Sequence, residues 1–422
     1  MTKNNFDENI RVVTLPNGFR IAMEHLPYLH SASLGVWIKA GSASETQKQS
    51  GLAHFLEHLF FKGTKNRNVH EIMDAIESKG GYFNAGTSQE YTTFYVRMLA
   101  EHVEIGAEVL GDLLLNSLFC DLEKERNVVL EEIASIEDTP DELASDLLAE
   151  FHWPDHSLGR PVSGYAETVA ALSRQDLLQF YDAWYKPENM VFAIAGNFDQ
   201  DRVLAKVEEI FSGLPAGTPE SDLRVPRFQA GTKLVERPIS QVHVGIATPA
   251  PSMGDQERYA GSMLSGIFGG SSTSRLFEKI REEEGLAYNV CAYISSYVPA
   301  GMMGIYEAVA PQNCAQALDL TFKELDLIRS SPVSQEELNR CREQLKGSLL
   351  MAMESTHSRI SRVAKNLLFR NEIIPMEELV AGIEAVTAEG LLDFANRYIR
   401  QDACALLLLG PKGTHIPDGI PL

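Results

Sequence analysis

The stretch His54-Phe-Leu-Glu-His58 carries the most specific chemistry in the chain. On a helix, residues three and four apart share a face, so His54, Glu57 and His58 project together. Two imidazoles at that spacing hold one zinc, and the carboxylate between them reaches a water on the metal without being a ligand. The order is HxxEH, the inverse of HExxH. Phe55, Leu56, Leu59 and Phe60 are apolar neighbours and favour a buried site over a solvated face. A working zinc centre needs a third protein ligand and an open position. In LEKERNVVLEEIASIED, residues 122–138, Glu125 and Glu132 stand two helical turns apart on one face. Glu131 points about 100° away from Glu132. Spacing alone leaves these glutamates open as ligands. His152, Asp155 and His156 form a superficially similar HxxDH, but Pro154 lies between the histidines. Proline inside a helix costs about 3 kcal/mol, so this stretch reads as a loop without metal geometry.

The elements that must hold these groups alternate between short strand-like and longer helix-like runs, which predicts an α+β fold. Asn17-Gly18 between apolar stretches predicts a hairpin over Ile10 to Glu24, followed by a strand from Ser33 to Ile38. Helical spacing runs from His102 to Leu118 and from Leu122 to Ile136. FNAGTSQEYTTFYVR alternates like a strand after Gly80-Gly81. Residues 214–232 are rich in Pro, Gly and polar residues and read as a linker. The flanks of that linker resemble each other: at an offset of 214, Leu177, Leu178, Phe180 and Gly196 match Leu391, Leu392, Phe394 and Gly410. A weaker echo pairs IEDT at 136–139 with MEST at 353–356. Two copies of one α/β domain follow, over 1–215 and 233–422 with a linker at 216–232. At the same offset Phe268, Ser271 and Ser272 stand where His54, Glu57 and His58 would be, so the second copy lacks the motif.

Composition sets outer limits. The 422 residues are 44% hydrophobic and 23% charged, as in folded globular chains, and the net charge is −21. That balance excludes nucleic acid and anionic membrane as main partners, because both need clustered cations. No apolar run approaches the ~18 residues that span a bilayer. The start of the chain lacks the apolar core of a secretory signal. Five dispersed cysteines without CxxC pairs predict free thiols in a reducing, cytoplasmic setting.

HFLEH within GLAHFLEHLFFKGT resembles the pitrilysin family of inverted-motif zinc peptidases, in the branch of mitochondrial processing peptidase and its short bacterial relatives. The resemblance extends along the chain through GGYFNAGTSQEYTTFY, ERNVVLEEI, HSLGRPVSG, YKPENMVFAIAGNFD and SSTSRLFEKIREEEGLAY. It implies two metallohydrolase-type domains, each a mixed sheet with helices packed on it, enclosing a chamber. Glu132 matches the family's third zinc ligand, with 73 residues between it and His58, and Glu125 matches the acid that supports it. Arg281 and Tyr288 match an Arg–Tyr pair of the second half that completes the active site. The edge strand that takes up extended peptide corresponds to the stretch with Asn84 and Ala85. The implied activity is zinc-dependent endopeptidase cleavage of unfolded or short peptides, with one zinc per chain. Glu57 would be the base that deprotonates the metal's water. Assembly is expected as a homodimer or with a related chain. A non-catalytic scaffold and the catalytic half of an obligate heterodimer are the competing readings.

Overall fold

Gly18 takes φ 89°, a conformation that Asn17-Gly18 supplies without a Cβ penalty, and it closes the first hairpin. Strand β1 (Ile10–Thr14) pairs antiparallel with β2 (Arg20–His25), Ile10 opposite Glu24. The computed structural model describes residues 7, 9–219 and 223–417, so part of the expected linker, 220–222, lies outside the described residues. These residues form two compact units.

The first unit adds β3 (Ser31–Ile38), β4 (Tyr82–Thr87), β5 (Thr92–Leu99) and β6 (Met190–Gly196), in the order β1-β2-β6-β3-β5-β4. The alternating run after Gly81 is thus two strands: Ser88 N bonds to Tyr91 O in the turn, and β4 is left at the sheet edge. The second unit holds β7 (Gly231–Glu236), β8 (Val242–Ala250), β9 (Ala287–Ser296), β10 (Gly301–Val309) and β11 (Ala405–Gly410), in the order β7-β11-β8-β10-β9. In each sheet one parallel pair, β2 with β6 or β7 with β11, is followed by antiparallel pairing out to the edge. Without β1 the two orders are the same, so the repeat is a repeat of topology.

Eight of the helices cover the sheets and carry the site: α1 (Leu52–Phe60), α2 (Leu122–Glu137), α3 (Pro140–His152), α4 (Arg174–Trp184), α5 (Arg258–Gly269), α6 (Gln335–Ala352), α7 (Thr356–Arg370) and α8 (Ala388–Tyr398). Helices α4 and α8 keep the 214 offset end to end. Each is capped by a hydroxyl, Ser173 or Thr387, and buries a Leu and a Phe at matching places.

Elsewhere the offset slips. Cross-strand register makes Gly35 equivalent to Gly245 and Asn84 equivalent to Cys291, separations of 210 and 207. Phe268, Ser271 and Ser272 are therefore not the counterparts of the HxxEH residues. The counterpart of α1 is α5, RYAGSMLSGIFG, which contains no His and no Glu. Loss of the motif stands, but on the topology and not on the fixed offset.

The units are not consecutive halves of the chain. The first combines Met1–Ile133, Pro161–Asp222 and Leu350–Met376, and the second takes Ala134–Arg160, Leu223–Leu349 and Glu377–Leu422. The cause lies in the strands. Leu34, Val36 and Ile38 of β3 enter one core while Trp37 enters another, so the sheet must be covered on both faces. Helix α7 supplies the second cover through Ile360, Val363, Ala364 and Leu367. In the second unit α3 lies on β8 and β11, with Leu148 against Gly245. The IEDT and MEST echoes fall at the entrances to these two helices. Among the described residues no helix is long and apolar enough to cross a membrane.

Candidate active site

Helix α1 starts at Gly51, whose φ of 92° and tight approach to Ser163 O leave no room for a Cβ. The buried Glu45 carboxylate then accepts from Gly51 N at 2.9 Å and Ala53 N at 2.7 Å. A fixed anion thus satisfies two amides at the positive end of the helix. Leu52, Ala53, Phe55, Leu56, Leu59 and Phe60 are buried, which turns His54, Glu57 and His58 to the remaining face. Glu45 anchors the motif helix although nothing in the sequence pattern marks it.

Helix α2 brings the third group. His54 Nε2 lies 3.6 Å from Glu132 Oε1, and His58 Nε2 lies 3.5 Å from Glu132 Oε2. One donor atom from each residue falls within 4.8 Å of the others, and among the described residues this is the one such group of metal-ligand side chains. Metal–ligand bonds of about 2.0–2.1 Å in a tetrahedron place donor atoms about 3.3 Å apart. The carboxylate contacts are close to that spacing and too long for good hydrogen bonds. Glu131, the neighbour that spacing left open, is exposed and outside the group. The side chains of His54, His58 and Glu132 are 13%, 21% and 42% exposed, so the group is walled by protein on one side and open on the other.

Electrostatics pull the two imidazoles in opposite directions. Burial pushes His54 down to about 4, so its imidazole is neutral near pH 7 and has a lone pair to give. The Glu132 carboxylate holds His58 above the usual imidazole range, and His58 in turn holds Glu132 below the usual carboxylate range. These donors fit zinc, which takes neutral imidazole nitrogen and carboxylate oxygen with a position left open. Behind the group, Glu125 is 3% exposed, with Oε2 3.7 Å from His58 Nδ1 and Oε1 2.9 Å from Lys62 Nζ.

Glu57 stays out of the donor group. Thr87 Oγ1, at the end of edge strand β4, donates to Glu57 Oε2 at 2.6 Å. Burial raises Glu57 above the usual carboxylate range, and the Thr87 bond opposes that rise. On the same strand Asn84 is exposed and donates to Tyr82 Oη at 2.9 Å, while its Oδ1 accepts from Ala85 N. Thr87 and Lys62 were not singled out by the sequence. A hydroxyl and an ammonium are too common on surfaces for their type alone to mark them.

Arg281 and Tyr288 belong to the second unit. Arg281 sits on a π-helical turn, Phe277–Glu283, and Tyr288 opens β9. The guanidinium donates to Tyr288 O at 2.9 Å and stands 4.5 Å from the Tyr288 ring centre, so the pair is a unit. The Tyr288 side chain is 80% exposed. In the other histidine cluster, α3 runs through His152, further than the loop reading allowed, and then breaks at Trp153. His152 is fully buried, whereas His156 caps a short turn at Leu158 N and contacts Arg224 O, so no metal pair forms.

Comparison with known proteins finds two family models along the chain. Residues 20–165 match the family model described as insulinase (peptidase family M16), and residues 171–345 match the model described as the peptidase M16 inactive domain. An uncharacterized zinc protease, YmxG, of Bacillus subtilis is 36% identical over 96% of this chain and 99% of its own. Another uncharacterized zinc protease, from Streptomyces coelicolor, is 35% identical over 95% of this chain and 90% of its own. The crystal structure of a peptidase M16 inactive domain from Pseudomonas fluorescens superposes with a TM-score of 0.89 at 20% identity, covering 97% of this chain and all of that one. A protease from Helicobacter pylori superposes at 0.87, also at 20% identity, over 95% of this chain and 99% of its own. The folds agree across the full length, the sequence relatives are alike in both halves, and the chain belongs to peptidase family M16, the pitrilysin or insulinase family.

Proposed function

We propose that this chain is a zinc endopeptidase that cleaves unfolded or short peptides, with one zinc per chain held by His54, His58 and Glu132. The observation that carries the proposal is the meeting of these three donors from two helices, with Glu57 beside them but bonded elsewhere. Zinc, when bound, supplies Lewis acidity that polarises the scissile carbonyl and acidifies water. Glu57 then accepts a proton from the attacking water on its carboxylate and returns it to the leaving amine nitrogen. Thr87 keeps one carboxylate oxygen occupied, which fixes the carboxylate plane. The exposed edge of β4 near Asn84 and Ala85 offers backbone groups to an extended peptide, with little demand on side chains. Tyr288 as an oxyanion donor and Arg281 as a holder of substrate backbone rest on the family resemblance. Free cysteines, one of them exposed, support a reducing compartment, the cytoplasm. Assembly as a dimer with a like or related chain belongs to the same proposal and is read by sizing the active species.

The test is metal content together with cleavage of a quenched-fluorescence peptide by the purified chain. One zinc per chain and chelator-sensitive cleavage are expected. Glu57→Gln should retain the metal and lose cleavage by several orders of magnitude, because it removes a proton acceptor and leaves the donors alone. A wild-type chain that binds zinc yet cleaves no peptide would favour the scaffold reading, and near-normal turnover in Glu57→Gln would remove the base from that role.

A further inference from the structure

We propose that Lys62 is a positioning residue for the metal site, acting through Glu125 to fix His58. The inference rests on the zinc reading and assigns a role to a side chain outside the donor set. Lys62 follows His58 by four residues, just past the end of α1, so the chain lays it one turn beyond the imidazole. Its Nζ stands 2.9 Å from Glu125 Oε1, and Glu125 Oε2 stands 3.7 Å from His58 Nδ1. The three groups form a row of ammonium, carboxylate and imidazole, with His58 Nε2 at the far end facing Glu132.

Each part of the row has a physical reason. Glu125 is 3% exposed, and a carboxylate taken out of water is strongly unfavourable without a cation or donors beside it. The first turn of α2 helps, since its free amides favour an anion there. The full counter-charge comes from Lys62, whose side chain is 26% exposed and keeps a path to solvent for its head. With Oε1 held by the ammonium, the carboxylate plane is set and Oε2 faces Nδ1 at 3.7 Å, a charge contact longer than a hydrogen bond. An imidazole that gives its Nε2 lone pair to a metal must carry its proton on Nδ1, and an acceptor fixed opposite Nδ1 selects that tautomer and ring angle. Without the ammonium, Oε1 is left uncompensated in a buried place and the carboxylate loses the contact that orients it. His58 then loses its fixed acceptor although no ligand has been altered.

The experiment measures zinc affinity by chelator competition and, separately, the thermal midpoint of the zinc-free protein. Wild type, Lys62→Met, Lys62→Arg, Glu125→Gln and the Lys62→Met/Glu125→Gln double variant are compared. Lys62→Met should bind zinc about tenfold more weakly, the scale on which groups behind metal ligands act. Lys62→Arg, which keeps the charge, should stay within about threefold of wild type. The double variant should bind zinc as Glu125→Gln does, because a residue that acts through Glu125 has nothing left to orient. It also removes the unpaired buried charge, so it reports even if Lys62→Met folds poorly. The zinc-free midpoint should not separate Lys62→Arg from wild type. Wild-type affinity in Lys62→Met, or a further tenfold loss in the double variant beyond Glu125→Gln, would overturn the inference and leave the zinc reading intact. Failure of the wild-type chain to bind zinc would overturn both.

Discussion

Replacing Thr87 by Val removes one hydroxyl and keeps the shape of the side chain, so it isolates the bond to Glu57. That bond is 2.6 Å long, and its acceptor is a partly buried carboxylate. A hydrogen bond to a charged group contributes about 1.5–3 kcal/mol, and removing the donor leaves the acceptor oxygen to bear that loss. If Glu57 works as the ionised base, the loss falls on the reactive form. Turnover should drop about 10- to 100-fold. The sign for pH follows from the causes of the Glu57 shift. Burial raises its pKa and the Thr87 bond lowers it, so deleting the bond raises it further. The acid limb of kcat/KM should therefore move to higher pH. KM should change little, because Thr87 presents its hydroxyl to Glu57. Thr87→Ser, which keeps the donor, should recover most of the activity. Cleavage of a fluorogenic peptide from pH 5 to 9, with zinc content measured in parallel, provides the assay. A Thr87→Val enzyme with normal kcat and an unmoved acid limb would refute the reasoning.

Glu132→Gln should strip most of the zinc, whereas Glu131→Gln should leave metal content and cleavage within about twofold of wild type, since an exposed charge outside the donor group contributes little; metal analysis of both decides. Tyr288→Phe should lower kcat by about 10²–10³ with little change in KM, the loss typical of one oxyanion donor, and unchanged kcat would reduce Tyr288 to packing. Burial pushes Glu307, on β10, up to about 7, above its unfolded value. The penalty for ionising it is thus absent below about pH 4, grows as pH rises and is complete once pH passes the folded value, so Glu307→Gln should stabilise the chain by about 3 kcal/mol at pH 8 and hardly at pH 4. Urea titrations at the two pH values check it, and equal stabilisation at both would assign the effect to packing.

The motif was legible because its chemistry is local. HFLEH needs only helical spacing to place three groups on one face, and the apolar residues between them say which face is buried. Glu132 follows after 73 intervening residues, and spacing offered Glu125 and Glu131 equally well. A family resemblance was needed to choose, and the geometry of α1 and α2 brings Glu132 to the donor position. The hairpin, β3 and α2 were readable from turn residues and periodicity, whereas β4 and β5 merged because their turn lacks a Gly-containing signal. The exchange of α3 and α7 between the units was invisible for a different reason. Periodicity shows that a helix has an apolar face but not which sheet that face covers. Glu45, Lys62 and Thr87 escaped because each acts through a partner that the fold supplies.

The two copies of the repeat differ in the side chains that stand between equivalent helices. In the first unit α1 and α2 meet through His54, His58, Glu125 and Glu132, so donor atoms stand between them. In the second unit α5 meets α6 through glycine. A Cβ on Gly266 would come within 2.6 Å of Cys341 Sγ, and one on Gly269 within 2.3 Å of Ala292 N on β9. Neither position leaves room for an imidazole ring in place of the glycine. Reinstating the motif there would take more than three substitutions, because imidazoles at those places would displace the buried side chains of Leu264, Phe268 and Cys341. Burial of that kind holds the second unit together at about 25 cal/mol per Å² of apolar surface. The same topology thus has two self-consistent solutions: a gap lined by donors that a cation can fill, and a seam closed by small residues that needs none.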